Sequence, residues 1–546
     1  MSTAWVFLVN RKVYLEYIFG DRNYVIYTYY TPDPFNPNIA LSAPIVKFPN
    51  RPALTGVTSG TPVLLKIAKY ERNHFSIFSR HGIKGPDPLP VIGNMYTVYK
   101  LGLAEAEKAW TLQYGKVHGA FIGHFPTLTI ADLDIVREIL VKRFHNFTDR
   151  AVLDLQPTPV DKGLFFQCSH EWKRLRRIIS PTFSGSKLKH MIPYLNDCAK
   201  SLTDILETFV VSGQSMPAKE IFSLYTTNAI ATTAFGIQVE TGSDQLRNFI
   251  KLMKKIFDDN GVEHPVFVLS MMFPPLASIL RIFGLSWPRD AIKVIVETGS
   301  KLIEERNNNE MKRVDFLQLL LDAKLDEDDS PEDKTPHRRR LSKDEILGQI
   351  IIFFLAGYET TGSLLQFTTY ELSINQDLQD ELYREIQEQI GKDNPTYESI
   401  GRLRYMDQVL AETLRKYPPV RALSRLASET VTINGLVIPK GVSVNIPVYS
   451  IHRDPAIYHN PDEFKPERFS PEAKAKLDPF SYLPFGFGQR NCVGMRLALI
   501  EAKIALIHSI QKFRFTKCDE TEIPLSLKHN TLVQARRPIK MKIVRR

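Results

Sequence analysis

The spacing of hydrophobic and polar positions changes along this 546-residue chain, and the changes mark its elements. Ala104 to Tyr114 reads as helix, and His118 to Ala131 carries strand-like runs broken by Gly123 and Pro126. Most of the chain from about 130 to 420 has a helical period. Within it, Ile346 to Leu372 is an apolar helical run. Pro265 to Leu280 is uncharged and rich in Phe, Leu, Met, Val and Ile. It falls short of the ~20 residues that span a bilayer, and Pro274-Pro275 predicts a break in any helix there. A last helix is predicted from Met495 to Phe513. Val431 to Ile433 and Val442 to Ile446 are short β-type runs, with turns at Asn434-Gly435 and Lys440-Gly441, and predict hairpins. His81 to Asn94 cannot be helix, because Pro86, Pro88 and Pro90 each remove a donor and fix φ. Asp322 to Glu345 is acidic first and then basic at His337 to Arg340, which reads as an exposed inter-helix loop.

Composition narrows the class. Hydrophobic residues make up 43% of the chain, enough for a large core. No linker divides the chain after about residue 75, so residues 76–546 are expected to form one catalytic domain. Residues 1–75 read as an atypical extension without a clear anchor: no window approaches ~20 apolar residues, and no charged start precedes an apolar core. Val25 to Val57 reads as a small strand-rich appendage, a disordered tail or a mispredicted exon. The net charge of +10 suits an anionic membrane surface or an acidic protein. Nucleic acid fits worst, with no zinc-finger spacing and no aromatic–basic repeat. Cys168, Cys198, Cys492 and Cys518 show no CxxC pair, which predicts neither a disulfide framework nor a zinc site, and reduced thiols facing the cytosol.

The chemistry concentrates near the C-terminus, in Pro484-Phe-Gly-Phe-Gly-Gln-Arg-Asn-Cys-Val-Gly494. Gly486 and Gly488 let the backbone approach a flat ligand. The helix that starts just beyond Cys492 offers amide donors and a positive dipole end, which favours a thiolate. Arg490 can pair with a carboxylate of the same ligand. Phe485, both glycines, Arg490, Cys492 and Gly494 fall at the spacing of the haem-binding loop of cytochrome P450 enzymes, and the chain resembles that family from about Phe75 to its end. The resemblance implies a mainly α (α+β) cytochrome P450 fold, a helix-rich triangular domain with small β-sheets around a buried haem. It implies haem b, with Cys492 as the iron ligand.

Further motifs carry the resemblance in order. Ala356-Gly-Tyr-Glu-Thr-Thr361 interrupts the apolar run with a glycine, an acid and a hydroxyl, which is unfavourable inside a helix. It looks like the family's oxygen-activating groove, where the resemblance implies that Thr360 hydrogen-bonds the iron-bound peroxo group or an ordered water and that Glu359 links that water to bulk protons. Glu412-Thr-Leu-Arg415 and Pro466-Glu-Arg-Phe469 match the buried triad of Glu412, Arg415 and Arg468 that fixes the cysteine loop. Trp172 and Arg176, four apart in Trp172-Lys-Arg-Leu-Arg176, match ligands of the haem edge and propionates. Arg425 and Arg150 match further propionate ligands. Lys173, Arg174 and Arg177 read either as a solvated face or as a docking surface for an acidic electron donor. Leu355, Ala356, Val420 and Leu423 are expected to line the substrate pocket. Pro265 to Leu280 lies where membrane-bound relatives carry a segment that dips into lipid, which is favoured over a buried-core reading.

The text around Trp172 to Leu188, Tyr358, Ile433 to Gly441 and Ile451 to Pro455 is most similar to the microsomal clan that oxidises steroids and xenobiotics. For this chain the resemblance implies a monooxygenase on the cytosolic face of the endoplasmic reticulum. It would insert one oxygen atom from O2 into a lipophilic steroid, fatty acid or xenobiotic. No GxGxxG or flavin module is present, so electrons would come from NADPH through a separate NADPH–cytochrome P450 reductase, with cytochrome b5 as a second donor. A haem-thiolate isomerase or dehydratase of endoperoxides, and a haem sensor without turnover, are the rivals. Both have less use for the Glu359–Thr360 pair.

Overall fold

The structure is a computed structural model. It describes residues 3–9, 12–19, 22–30, 69–237, 243–259, 264–285, 288–308, 315–322, 341–528 and 532–546. The chain divides into two units, Met1–Ile67 and Ala68–Arg546. In the first, β1 (Thr3–Val9), β2 (Lys12–Phe19) and β3 (Arg22–Tyr30) form an antiparallel sheet in sequence order. Their Trp, Val, Ile, Phe and Tyr residues are the types that favour strands. Most of the predicted 25–57 appendage lies outside the described residues.

The second unit is built from helices. In chain order the main ones are α1 (Leu103–Tyr114), α2 (Ser169–Ile179), α3 (Gly185–Ser212), α4 (Ala218–Phe235), α5 (Pro265–Met272), α6 (Pro274–Ile282), α7 (Lys343–Ile374), α8 (Arg404–Lys416) and α9 (Met495–Lys512). Helix α7 is the axis of this unit. Ser342 Oγ accepts from the Glu345 amide at 3.2 Å, and the Ser342 amide donates to Glu345 Oε2 at 2.8 Å. This reciprocal cap fixes where 32 residues of helix begin. Among the described residues α7 alone is long and apolar enough to cross a membrane, but 72% of its apolar window is buried in protein, so it is a core helix. One core cluster joins α3, α4, α7, α8 and α9; a second joins α2, α4 and α7.

A small sheet flanks the helices. β4 (Val117–Ile122) and β5 (Phe125–Ile130) are antiparallel, and β7 (Ser443–Ile446) joins β5 in parallel and β6 (Leu423–Leu426) in antiparallel pairing. This corrects one expectation. Val431–Ile433 does pair with Leu436–Ile438 across Asn434 and Gly435, both at positive φ. The turn at Lys440-Gly441 closes no hairpin, because β7 crosses to the larger sheet and buries Val444 and Ile446 there.

The uncharged segment behaves as its prolines dictate. Helix α5 ends at Phe273 and α6 restarts at Pro274, where proline's missing amide costs nothing. Phe267, Val268 and Met271 pack against a cluster that includes Trp110 and Ile122, so half of the run is anchored inward. Its outward side is apolar: Leu269 is 42% exposed, Phe273 47% and Ile279 49%, and beyond the run Ile282 and Phe283 extend the patch at 75% and 65%. The charged stretch expected as a loop lies mostly at 323–340, including His337 to Arg340, outside the described residues.

Candidate haem-thiolate site

The cysteine loop is closed by its own backbone. The Cys492 amide donates to Phe485 O at 2.9 Å, the Asn491 amide to Gly488 O at 3.1 Å and the Gly486 amide to Leu483 O at 3.0 Å. Gly486 and Gly488 sit at φ 70° and 75°. A Cβ on Gly488 would lie 2.3 Å from Leu140 O, so no other residue fits there. Helix α9 begins after Gly494, and the amides of Gly494 and Met495 point at the Cys492 sulfur. Burial pushes the Cys492 thiol up, while those amides, Arg176 and Arg150 pull it down towards the thiolate. Cys492 nonetheless has accessible surface. A residue that is deep in the protein and still accessible faces an interior space.

Four arginines surround that space. Arg150 lies near enough to Arg176, Arg425 and Arg490 that burial and their charge push its guanidinium down to about 9. Burial and Arg490 push Arg425 down to about 10, and burial also lowers Arg490 to about 10. Arg425 is 2% exposed and its Nε has no partner; Arg490 is 3% exposed and neither its Nε nor its Nη1 has one. Buried cations with unused donors are costly unless an anion completes them. What hydrogen bonds they have only hold them in place: Arg490 Nη2 to Gln167 O at 2.7 Å, Arg425 Nη1 to Ser424 O at 2.8 Å, Arg150 Nη1 to Phe165 O at 3.0 Å. The donor set fits a flat, metal-bearing macrocycle with two carboxylates at one edge and the Cys492 sulfur on one face.

Helix α2 supplies two of the expected residues, Trp172 and Arg176. Arg176 holds the cysteine loop itself, donating from Nη1 to Asn491 O at 2.9 Å and from Nη2 to Asn491 Oδ1 at 2.8 Å. The buried ring of Trp172 lies under the Arg490 guanidinium, 4.4 Å from centroid to Cζ. Arg174 departs from the surface reading. Its side chain is 9% exposed and is paired with Glu171 at 2.9 Å and with Glu345, which joins α2 to the cap of α7. Lys173 and Arg177 are exposed.

On α7 the Thr360 hydroxyl donates to Ala356 O at 2.6 Å. Its lone pairs therefore stay free to accept. Ala356 is exposed although Leu355, Tyr358 and Glu359 beside it are buried, so this turn also borders interior space. Glu359 is turned to Lys219, with Nζ 2.8 Å from Oε1, and Gln534 Nε2 donates to the same oxygen at 2.7 Å. Lys219 Nζ also reaches Ser363 Oγ at 3.1 Å. Burial lowers the Lys219 ammonium, and Glu359 raises it. Leu423 lies beside the loop, its Cδ2 3.6 Å from where a Gly486 Cβ would be; Val420 bridges to Leu532; Leu355 packs in the core with Trp172.

The triad assembles. Arg415 Nε donates to Glu412 Oε2 at 2.7 Å and Nη2 to Oε1 at 2.8 Å, and Arg468 Nε lies 3.3 Å from the same Oε1. Glu412 and Arg415 are fully buried. Sequence reasoning missed Asn491, Lys219 and Gln534. Asn491 stood inside the quoted motif. Lys219 is one of only two charges in α4, beside Glu220, which was a usable signal. Gln534 had none.

An accessible cysteine at a helix start, ringed by arginines that keep unused donors although Arg490 also lies 3.7 Å from Asp149, in a helix-rich fold, defines the haem-thiolate class. The family model for cytochrome P450 matches residues 83–543, and the chain belongs to that family. It is a cytochrome P450 monooxygenase. Human cytochrome P450 3A5 is 37% identical over 500 residues, covering 91% of this chain and 97% of the relative. Cytochrome P450 3A1 of Rattus norvegicus is 38% identical over 504 residues, covering 90% and 98%. Cytochrome P450 3A11 of Mus musculus is 37% identical over 488 residues, covering 88% and 95%.

Proposed function

We propose that this enzyme inserts one atom of O2 into a lipophilic small molecule such as a steroid, fatty acid or xenobiotic. Electrons come from NADPH through a separate reductase, with cytochrome b5 as a second donor. The cofactor is haem b, which when bound supplies a thiolate-ligated iron that activates dioxygen. Cys492 holds the metal, Arg150, Arg176, Arg425 and Arg490 take the carboxylates with Trp172 at the same edge, and Arg176 also fixes the loop through Asn491. The observation that carries the reading is the Lys219–Glu359 pair beside Thr360. A pure carrier of haem has no need of a buried carboxylate connected to solvent.

The route can be followed atom by atom. The Lys219 side chain is 25% exposed and touches Glu359 Oε1, so Glu359 exchanges protons with solvent through it. Thr360 Oγ1, its own proton committed to Ala356 O, accepts from a water in the pocket. Glu359 hands a proton towards that water. Leu355, Ala356, Val420 and Leu423 line the substrate pocket in this reading. The apolar outward half of α5–α6 supports a membrane-surface location, on the cytosolic face of the endoplasmic reticulum. Residues Phe273, Ile279, Ile282 and Phe283 make that contact, and Phe267 does not.

The test is oxygen and NADPH consumption by purified holoprotein with reductase and a lipophilic probe. Oxygenated product formed only with reductase supports the reading. Rapid rearrangement of an endoperoxide without reductase, or haem binding without any turnover, overturns it.

A further inference from the structure

Several bonds converge on a side chain that the reaction does not use. His452 follows the short helix Val448–Ile451 and is fully buried. Its carbonyl accepts from Arg415 Nη1 at 2.8 Å. Its ring Nδ1 lies 3.2 Å from Arg415 O, and its Nε2 accepts from the Leu483 amide at 2.8 Å. A carbonyl can only accept and an amide only donate, so the ring carries its proton on Nδ1. Burial and the nearby Arg415 charge bring His452 down to about 3, which keeps it neutral. The Tyr482 ring stacks on it at 5.4 Å and 20°.

Leu483 opens the cysteine loop. Its carbonyl accepts from the Gly486 amide, and Phe485 O then accepts from the Cys492 amide. Among the described residues, no hydrogen bond runs directly from the Glu412 or Arg415 side chain to the loop 483–492. Their other partners are Lys465, Pro461 and Glu463, all earlier in the chain. The triad therefore needs an intermediary if it is to set the sulfur.

We infer that His452 is the positioning residue that transmits the fixed geometry of the Glu412–Arg415 pair to the thiolate loop, through its Nε2 bond to the Leu483 amide. The inference rests on Cys492 being the metal's thiolate. Losing that bond leaves a buried amide unsatisfied at the loop's entrance. The loop then samples geometries in which the sulfur is displaced or protonated, while the ion pair stays intact.

Glutamine and asparagine separate the two ring bonds. His452→Gln places its carbonyl oxygen near the former Nε2 and keeps an acceptor for Leu483. His452→Asn places its amide near the former Nδ1 and keeps only the bond to Arg415 O. Two measurements on purified holoprotein read the outcome. One is the rate at which the red-shifted reduced carbon-monoxide band of thiolate-ligated haem decays. The other is hydrogen exchange of the 483–492 backbone. His452→Asn should raise both by roughly tenfold or more, the scale of one unmade buried hydrogen bond. His452→Gln should stay within about threefold of the parent. Equal behaviour of the two variants, or better retention by Asn, overturns the inference. His452→Ala should match Asn; should it fail to fold, the Gln–Asn comparison still decides. Cys492→Ala serves as the control. If it keeps the red-shifted band, the thiolate assignment itself is wrong, a result distinct from any pattern among the His452 variants.

Discussion

Glu412→Gln is the most demanding test of how this fold holds its site. The Glu412 carboxylate receives Arg415 Nε at 2.7 Å, Arg415 Nη2 at 2.8 Å and the Lys465 amide at 2.9 Å, with Arg468 Nε at 3.3 Å. The side chains of Glu412 and Arg415 are both 0% exposed, so water screens nothing. Glutamine is isosteric, but one end of it becomes an NH2 that faces a guanidinium donor. Arg415 then stays buried with an uncompensated charge, which costs about 3–5 kcal/mol. Domains are stable by only about 5–15 kcal/mol, so the loss is about a fifth or more of the total. Urea unfolding followed by circular dichroism and by the haem band should both shift to lower denaturant. Glu412→Gln combined with Arg415→Met removes both charges and should recover part of the loss, since replacing a whole buried pair is cheaper than breaking it. A single variant within about 1 kcal/mol of the parent would place the pair among ordinary surface bridges and refute the argument.

Other perturbations follow from the same geometry. Arg425→Met should stabilise the haem-free protein while weakening haem retention, because it removes a buried cation that burial holds down at about 10, a cost of about 3 kcal/mol before packing losses. Opposite signs in apo melting and haem titration check it, and a loss in both would count against it. Thr360→Ala should keep NADPH consumption near the parent rate while product falls and hydrogen peroxide accounts for the difference; tight coupling would move the relay elsewhere. Ile282→Asp with Phe283→Asp should release the protein from anionic liposomes without changing its melting temperature, because both side chains lie mostly outside the core; unchanged binding would remove this patch from the membrane reading.

Much of the site was legible because motifs carry geometry in short spacings. The loop from Pro484 to Gly494 closes on itself through bonds within a few residues, so sequence alone places Cys492 at a helix start. The Glu412–Arg415 pair is likewise local, three residues apart on α8. What stayed hidden depends on distant partners. Lys219 meets Glu359 across 140 positions and Gln534 meets it across 175. Arg174 looked like one charge of an exposed face until α7 brought Glu345 against it. Strand β7 took its partners from Phe125–Ile130 and Leu423–Leu426 rather than from the adjacent Leu436–Ile438, and Val444 and Ile446 are buried there. Local turn chemistry at Gly441 could not reveal that choice.

Buried histidines make acid a selective probe of this scaffold. Burial and nearby cations lower His452 to about 3 and His508 to about 4, from 6.5. Both are neutral in the folded protein, and both gain protons on unfolding once the pH falls below the ordinary histidine range. The folded pKa values are depressed, so the stability they contribute is present above about pH 6.5 and is lost progressively towards pH 3–4. At pH 5 each unfolded histidine is mostly charged and each folded one mostly neutral, which costs about 2 kcal/mol apiece, or about 4 kcal/mol together. Glu385 and Glu501 work in the opposite direction, since burial raises both, and they are common to parent and histidine variant, so they cancel when the two are compared. His452→Gln with His508→Gln should therefore lose markedly less stability than the parent between pH 7.5 and 5, whatever its stability at pH 7.5. Comparing the two slopes, rather than the absolute values, isolates proton binding from the bonds that each substitution removes. His508 Nε2 pairs with Asn196 Oδ1 at 2.9 Å, which a glutamine amide can still donate to. Parallel pH slopes for parent and variant would show that these imidazoles already exchange with water in the native state, and that their burial does not hold them neutral.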